Sequence, residues 1–478
     1  MKFSKLAFWR RENQPSPNLT TVKNKLDSGT SSSRGEVLYR SVENVNEDIK
    51  GSLSKARARS YGAALNSPLV GEGVDTWVSD EIGSRCSIVP MSANESANKS
   101  MAELFKKHER FLDVNEEMKL AAILSVAARE RRTAGEVFIR LIRRRVGAYP
   151  VPMQVQVIGA NQCPMELNET RPNGNVIRQG IEYSKNKKVA VWLKKSQFEN
   201  VRVPIGDIIH SKLVKYAGLN RGIPSTVRGL LKEGEYNSYQ ENELNRKAAQ
   251  SSVIGMITDE NEIDEMPRIE GDYTPPAESQ GIEQFNYGPN TLLKGAPGQS
   301  LTMNNSPDTG QNYKDFSGVN ERYIGSGLGI PHQLITSNYE GINDRTLRQI
   351  NNSYRRKVRS EREFCTVDQV VSKLWRWFVD AAVLSGLDLP DYWEKRDDYR
   401  EFRFSAEAHA YDHAVQDLQA AERAITLGVK SPQSFCEERG ESYNQILEDK
   451  AAHIKKVLEL ASKYNINPSY LGVAESGI

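Results

Sequence analysis

The spacing of apolar residues changes rhythm several times along the chain, and each change marks an element. Ala58, Tyr61, Leu65 and Leu69 recur at roughly helical spacing. They predict a helix that opens at Ala56-Arg57-Ala58-Arg59 and runs, with interruptions, past Trp77. Residues 101–132 read as one or two helices, with Leu104, Phe105, His108, Leu112, Leu120, Ile123 and Leu124 on the apolar side. Between 135 and 213 the period drops to two. Val137, Ile139 and Leu141 alternate with Phe138, Arg140 and Ile142, and Met153, Val155 and Val157 alternate again. Short runs at 181–183, 189–193 and 201–209 add three strands, and Asn173-Gly174 is a strong turn signal. A small meander or barrel attached to the preceding helices is expected there.

Helical spacing returns at 224–252, where Val227, Leu230, Leu231, Tyr236 and Leu244 form a thin apolar face among charges. A polar section with many prolines, glycines and asparagines follows, and its apolar islands at 253–257 and 291–293 are expected to pair as strands. A second helix, 311–326, ends at Gly325-Ser326-Gly327-Leu328-Gly329-Ile330-Pro331, where glycine lacks helix propensity and proline lacks the amide donor. A turn-rich loop leads into a long helix at 343–384, with Asn343 or Asp344 as N-cap. At ~100° per residue, Leu347, Ile350, Tyr354, Val358 and Cys365 fall in one arc about 80° wide. Arg345, Arg348, Arg355, Arg359 and Arg362 fall in another, about 100° wide, on the other side. The later part of this helix is apolar and carries Trp375, Trp377 and Phe378. Phe402 and Phe404 alternate with Arg403 in a return strand, and helices after 406 break near Ser431-Pro432 and Gly440. The fold class is α+β, mostly helical.

A chain of 478 residues exceeds one compact core, so several domains or subdomains are expected. Its 64 basic and 62 acidic residues nearly cancel, so any DNA-facing charge must come from local placement. Mean hydropathy is −0.59, and the longest apolar run, 120–128, falls far short of the ~20 residues that span a bilayer. No membrane partner is expected. The start, Met1 to Arg11, lacks the apolar core and cleavage site of a signal peptide. Residues 1–54 read as a flexible arm rich in Ser, Asn, Thr, Gly and charge, ordering on assembly. Cys86, Cys163, Cys365 and Cys436 lie far apart without ligand spacing and read as separate reduced thiols.

Catalytic signatures are missing from the sequence. Gly325-Ser326-Gly327-Leu328-Gly329 has the wrong spacing for a dinucleotide loop, no Gly-Lys dipeptide supports a P-loop, and neither G-x-S-x-G nor H-E-x-x-H occurs. His409 and His413, four apart beside Glu407 and Asp412, make half a metal site with no third ligand cluster, and a solvated or inter-subunit face explains them better. No enzyme activity, cofactor or resident metal is expected. The Arg129, Arg131 and Arg132 cluster reads as helix capping at a C-terminus. Arg143-Arg144-Arg145 reads as a solvated strand tip, and His210 as structural. The arginine arc of the long helix stays open between a solvated or inter-subunit face and one that meets phosphate.

Order along the chain adds a resemblance. Arg322-Tyr323-Ile324-Gly325-Ser326-Gly327-Leu328-Gly329-Ile330-Pro331-His332-Gln333-Leu334, a loop with Asn338-Tyr339, and a long Arg-rich helix with tryptophans resemble the portal proteins of tailed bacteriophages, lambda-like family. Gly206-Asp207-Ile208-Ile209-His210 and the Arg57/Arg59 pair followed by Asn66 extend the similarity, which runs from about residue 55 to 449. It implies a subunit with wing, stem, clip, channel loop and helical crown, forming a ring, dodecameric as in the family. The implied pieces are an arm at 1–54, a wing at 55–223, stem helices at 224–252 and 308–330 around a clip at 253–307, and a channel loop at 331–342. A long wing helix at 343–387, a return strand at 388–405 and a crown at 406–478 complete it.

The implied function is a channel at one capsid vertex through which double-stranded DNA is packaged and ejected, without sequence specificity. The implied partners are copies of itself, the large terminase subunit, the head–tail adaptor, and major capsid and scaffold proteins. Localisation would be the virion, after assembly in the host cytoplasm. Gln333, Ser337, Asn338, Tyr339, Asn343, Arg345 and Arg348 would serve the DNA-channel loop, with Arg355, Arg359 and Arg362 on a basic helix face. Asp259, Glu260, Glu262, Asp264, Glu265, Glu270 and Asp272 would dock the motor at the clip. Two rival readings remain: a nucleic-acid-binding accessory protein using the basic helix at 345–362, and a head–tail adaptor or scaffold with no channel.

Overall fold

Residues 44–196, 199–252, 255–259, 299–303, 310–407, 414–437, 443–464 and 467 are described in the computed structural model. The chain divides into two units, Met1–Ser52 and Leu53–Ile478. The first contains one described helix, α1 (Val45–Lys50), capped by the Asn44 side chain.

In the second unit, Pro68 separates two helices. α2 (Leu53–Asn66) stops at Asn66, and α3 (Pro68–Ile82) starts with Ser67 accepting from the Val70 amide at 3.2 Å. Ala58 and Leu65, expected on the apolar side, are exposed, because α2 buries another face, where Leu53 packs and Arg57 and Ser60 bond Glu136 and the Thr133 carbonyl. β1 (Cys86–Pro90) precedes α4 (Glu95–His108), and α5 (Leu120–Ala134) completes the helical layer. The main core gathers Val74, Val78 and Ile82 of α3, Met101 and Phe105 of α4, and Ile123 and Leu124 of α5. Trp375 and Phe378 close it, with ring centroids 4.9–5.8 Å from Phe105. Each such side chain contributes on the order of 1.5–3 kcal/mol by leaving water.

β2 (Glu136–Arg143) is the central strand of a three-stranded antiparallel sheet, between β3 (Met153–Gly159) and β9 (Ile208–Lys212). Both faces of the alternating strand are covered at its start, where Val137, Phe138 and Ile139 are all buried. Val137 and Ile139 enter the main core, while Phe138 enters a second cluster with Val191, Val203 and Ile208. The expected meander is a separate sheet: β4 (Glu169–Thr170), β5 (Val176–Arg178), β6 (Ile181–Ser184), β7 (Lys187–Lys194) and β8 (Asn200–Pro204) pair in sequence order.

α6 (Val227–Ser252) packs antiparallel against α7 (Gly310–Leu328). Their backbones come so close that a Cβ on Gly327 would stand 2.7 Å from the Gly229 Cα, so Gly327 admits no side chain. Between the helices, β10 (Gly255–Asp259) pairs with β11 (Gln299–Met303), with Ile257 opposite Leu301. The second island expected to pair, 291–293, lies outside the described residues. The packed helices explain the choice: they bring together the segments that directly follow α6 and precede α7.

A single helical turn, α8 (His332–Thr336), stands where an irregular loop was expected. α9 (Asp344–Glu361) then runs without a break through a π-helical stretch, Arg362–Val371, into α10 (Ser372–Leu384). After α11 (Arg396–Tyr399), β12 (Phe402–Ala406) returns and pairs antiparallel with β1. α12 (Ala414–Thr426), α13 (Pro432–Glu437) and α14 (Tyr443–Tyr464) follow, and Ser431 caps α13 by accepting from Ser434 N at 3.0 Å. Among the described residues no helix is long and apolar enough to cross a membrane.

Candidate nucleic-acid interface

Apolar residues fix the base of the loop. Ile330 and Ile335 join Val70, Trp77, Ile324, Leu328, Tyr354 and Val358 in one cluster. Burying Ile335 requires the turn α8, and that turn also buries Gln333, which therefore leaves the exposed set expected from the sequence. The exposed part is 337–341. Ser337 (φ 53°) and Gly341 (φ 73°) take the left-handed backbone that tight reversals need. Asn338 Oδ1 accepts from the Glu340 amide at 3.0 Å, and Glu340 reaches Lys314 of α7 at 3.0 Å. Tyr339 projects about half into solvent (46 %). Asn343 caps α9, accepting from Arg345 N at 3.0 Å.

The expected arginine arc divides into three environments. Arg345 and Arg359 are exposed, as are Arg356 and Lys357. Arg348 is half-buried and lies 3.6 Å from Asp344, and Arg355 is half-buried. Arg362 is tied down: its guanidinium donates to the Glu81 carbonyl at 2.5 Å and the Asp80 carbonyl at 2.7 Å, at the end of α3. Its angle still follows α-helical counting, since the π-helical stretch only begins there, but the end of α3 lies over that part of the arc and takes Arg362 out of the exposed face.

Two buried charge networks hold the helices that carry this surface. Arg131 pairs with Glu81, reaches Glu361 at 3.4 Å and faces Thr366, linking α5, α3, α9 and the π-helical stretch. Arg132 donates to the Leu328 carbonyl at 2.6 Å and lies 3.7 Å over the Trp77 ring. The capping reading of these two arginines is thus replaced: each is an internal anchor, and only Arg129 stays outside, 2.5 Å from Asp75. Burial disfavours the charge on Arg131, but Glu81 and Glu361 outweigh it and raise its pKa.

In the second network, Glu136 accepts from Arg57 (2.7 Å), Arg221 (2.6 Å), His210 (2.8 Å) and the Gly222 amide (2.8 Å). Burial raises the Glu136 carboxyl, yet Arg221 and Arg57 together hold it well below the usual range. His210, stacked on Phe138 at 4.6 Å and pushed down to about 3 by burial, is neutral and structural. Sequence reading missed this network. Its signal was a glutamate opening an apolar strand, where an unpaired charge would be costly.

Among the described residues, no three or more His, Cys, Asp or Glu gather as a metal site would require. His409 and His413 lie outside them, as do Glu260, Glu262, Asp264, Glu265, Glu270 and Asp272. Asp259 ends β10, opposite Gln299.

Comparison with known proteins places these elements in a family. The family described as phage portal protein, lambda family, matches residues 33–362. Portal protein B of Escherichia phage lambda is 22 % identical over 249 residues, covering 51 % of this chain and 45 % of that protein. The portal protein of Escherichia phage N15 is 23 % identical over 188 residues, 38 % of this chain and 35 % of the relative. The matches thus span under half the length of these curated relatives. Among solved structures, chains from the neck of an empty GTA particle (12 % identity, TM-score 0.43, covering 82 % of this chain and 93 % of that one) and of a native GTA particle computed with C12 symmetry (13 %, 0.44, 81 % and 91 %) are similar. With the family match extending from before α2 to the end of α9, the chain belongs to the lambda family of phage portal proteins.

Proposed function

We propose that this chain is the repeating subunit of a ring at one vertex of a phage capsid, whose channel passes double-stranded DNA in during packaging and out during ejection. The observation that carries this reading is the loop at 337–341, polar and exposed, held between α7 and the cation-rich start of α9 in a chain of this family. DNA that slides needs contacts that are many, weak and blind to sequence, because tight phosphate binding would stall it. Asn338 and Tyr339 offer polar contact without net charge, and Arg345 stands just behind. Ring symmetry repeats each contact once per subunit.

In this reading α6 and α7 form the stem and the 253–307 segment the clip, where terminase and then the head–tail adaptor dock. Residues 331–342 form the channel segment, and those after 406 the crown. The work is mechanical and electrostatic, with no catalytic residue. The protein resides in the virion, contacts major capsid and scaffold proteins during assembly in the host, and forms a dodecamer.

Mass measurement and imaging of the purified chain test the ring. A particle with a central hole is expected, whereas a stable monomer or dimer with salt-dependent DNA binding would favour an accessory protein using α9. Asn338→Ala with Tyr339→Ala tests the loop: assembly should persist while packaging or retention of DNA falls. Unchanged packaging after deletion of 338–341 would remove the loop from the mechanism.

A further inference from the structure

The start of α6, the end of α7 and the end of α9 surround a pocket of about 370 Å³. Four of its lining side chains are cations: Arg132 of α5, Lys215 just past β9, Arg228 in the first turn of α6, and Lys357 of α9. One is an anion, Glu361, which already lies 3.4 Å from Arg131 and 3.6 Å from Arg132. Ser225, Ser326 and Ser360 add hydroxyls to the lining. Positive charge is thus concentrated here in a chain whose total is only +2.

Among the described residues, Lys215, Arg228 and Lys357 form no ion pair and their side chains donate no hydrogen bond. Crowding by protein atoms lowers the pKa of the Lys215 ammonium, Glu361 raises it, and Arg228 and Arg132 lower it again, so these cations stand close enough to repel one another. Arg228 is also unfavourable for its helix. The N-terminus of α6 carries about half a positive charge, and its first turn holds no acidic residue to offset it. The C-terminal carbonyls of α7 attract cations, but it is Arg132 that takes the Leu328 carbonyl, at 2.6 Å, which leaves the other three unexplained. Arg132 itself is 5 % exposed, and its Nε–H has no partner.

We infer that this pocket binds a phosphate group, held by Lys215, Arg228 and Lys357 together with Arg132. A carboxylate brings one charge and two oxygens. A phosphate group brings up to about two charges and three or more acceptor oxygens, which suits several unpaired cations beside three hydroxyls and a helix N-terminus. Free inorganic phosphate and the DNA backbone share this chemistry. The site is separate from the exposed loop: Lys357 stands thirteen residues past Asp344, about 20 Å along α9. All its residues belong to one chain, so it does not depend on the ring reading above.

The test titrates inorganic phosphate into the full chain by calorimetry, at constant ionic strength set with chloride. Saturable binding at one site per chain is expected, and acetate should bind about tenfold more weakly or worse. Lys215→Gln with Arg228→Gln should weaken phosphate binding about tenfold or more, while Arg59→Gln, an exposed cation elsewhere, should leave it unchanged. Lys215 and Arg228 are both exposed, so cooperative unfolding of the double variant should be kept. A duplex without terminal phosphates, added to the phosphate-bound chain, separates the two sources: displacement assigns the site to the DNA backbone, and undisturbed binding assigns it to free phosphate. No saturable heat, equal affinity for acetate, or full binding by the double variant would overturn the site.

Discussion

Glu136 shows how charge and apolar packing share the interior. Its carboxylate is buried among Arg57, Arg221 and His210, so the group is costly alone and stable only as a set. Glu136→Gln leaves two buried guanidiniums without a countercharge and should cost roughly 3–5 kcal/mol in urea unfolding. Arg143→Ala, at an exposed pair with Asp207, should cost less than about 1 kcal/mol. His108 is a different case. It is fully buried and burial pushes it down to about 4, below its usual 6.5. The folded chain therefore holds it neutral while the unfolded chain takes up a proton below pH 6.5. Its contribution is fully present above that value and is lost progressively as pH falls toward 4, by on the order of 3 kcal/mol. His108→Leu should flatten this part of the acid limb, read as urea midpoints across the window; a limb of unchanged slope would show that other groups set it.

Element by element, the long helix carries the most information. Its first half buries Tyr354 and Val358 in one cluster, and its second half buries Val370, Val371, Leu374 and Phe378 in another. The π-helical stretch between them adjusts the phase so that both stripes face inward, and Arg362 hooks its start onto α3. Deleting the exposed Arg356, in the α-helical first half, would turn one stripe out by ~100° relative to the other. Loss of several kcal/mol is expected, visible in the thermal midpoint; an unchanged midpoint would mean the stretch is not set by packing. At the other end, Asn343→Ala should cost about 1 kcal/mol, the usual value of an N-cap.

These elements also explain what could be read beforehand. The break at Pro331 and the short strands of the meander follow from local chemistry and were legible, the cap was narrowed to Asn343 or Asp344, and the run at 201–209 is split between β8 and β9 of two sheets. The π-helical phase change, the turn that buries Gln333 and the choice of β11 over 291–293 depend on packing against distant segments. No window of sequence contains that packing. The loop was legible as polar and turn-rich, but which of its residues face solvent was decided by where Ile335 goes.

For the whole molecule, the cations of α9 decide whether this surface meets DNA or a neighbouring subunit. The net charge of +2 offers no general attraction, so any salt dependence must come from a few placed residues. Arg345 sits next to the loop and is exposed, Arg348 lies beside Asp344, and Arg359 stands fourteen residues further along, about 21 Å at 1.5 Å per residue. If the loop marks the channel wall, the effect on DNA should fade along the helix. Arg345→Gln in the assembled ring should then lower the slope of log affinity against log salt, by about 0.9 for each phosphate that is no longer neutralised. Arg348→Gln should lower it less, since its charge is already shared, and Arg359→Gln should leave it unchanged. If instead Arg359→Gln weakened ring assembly and Arg345→Gln left the slope intact, the basic face would belong to the subunit boundary, and DNA would be guided by the uncharged residues of the loop alone.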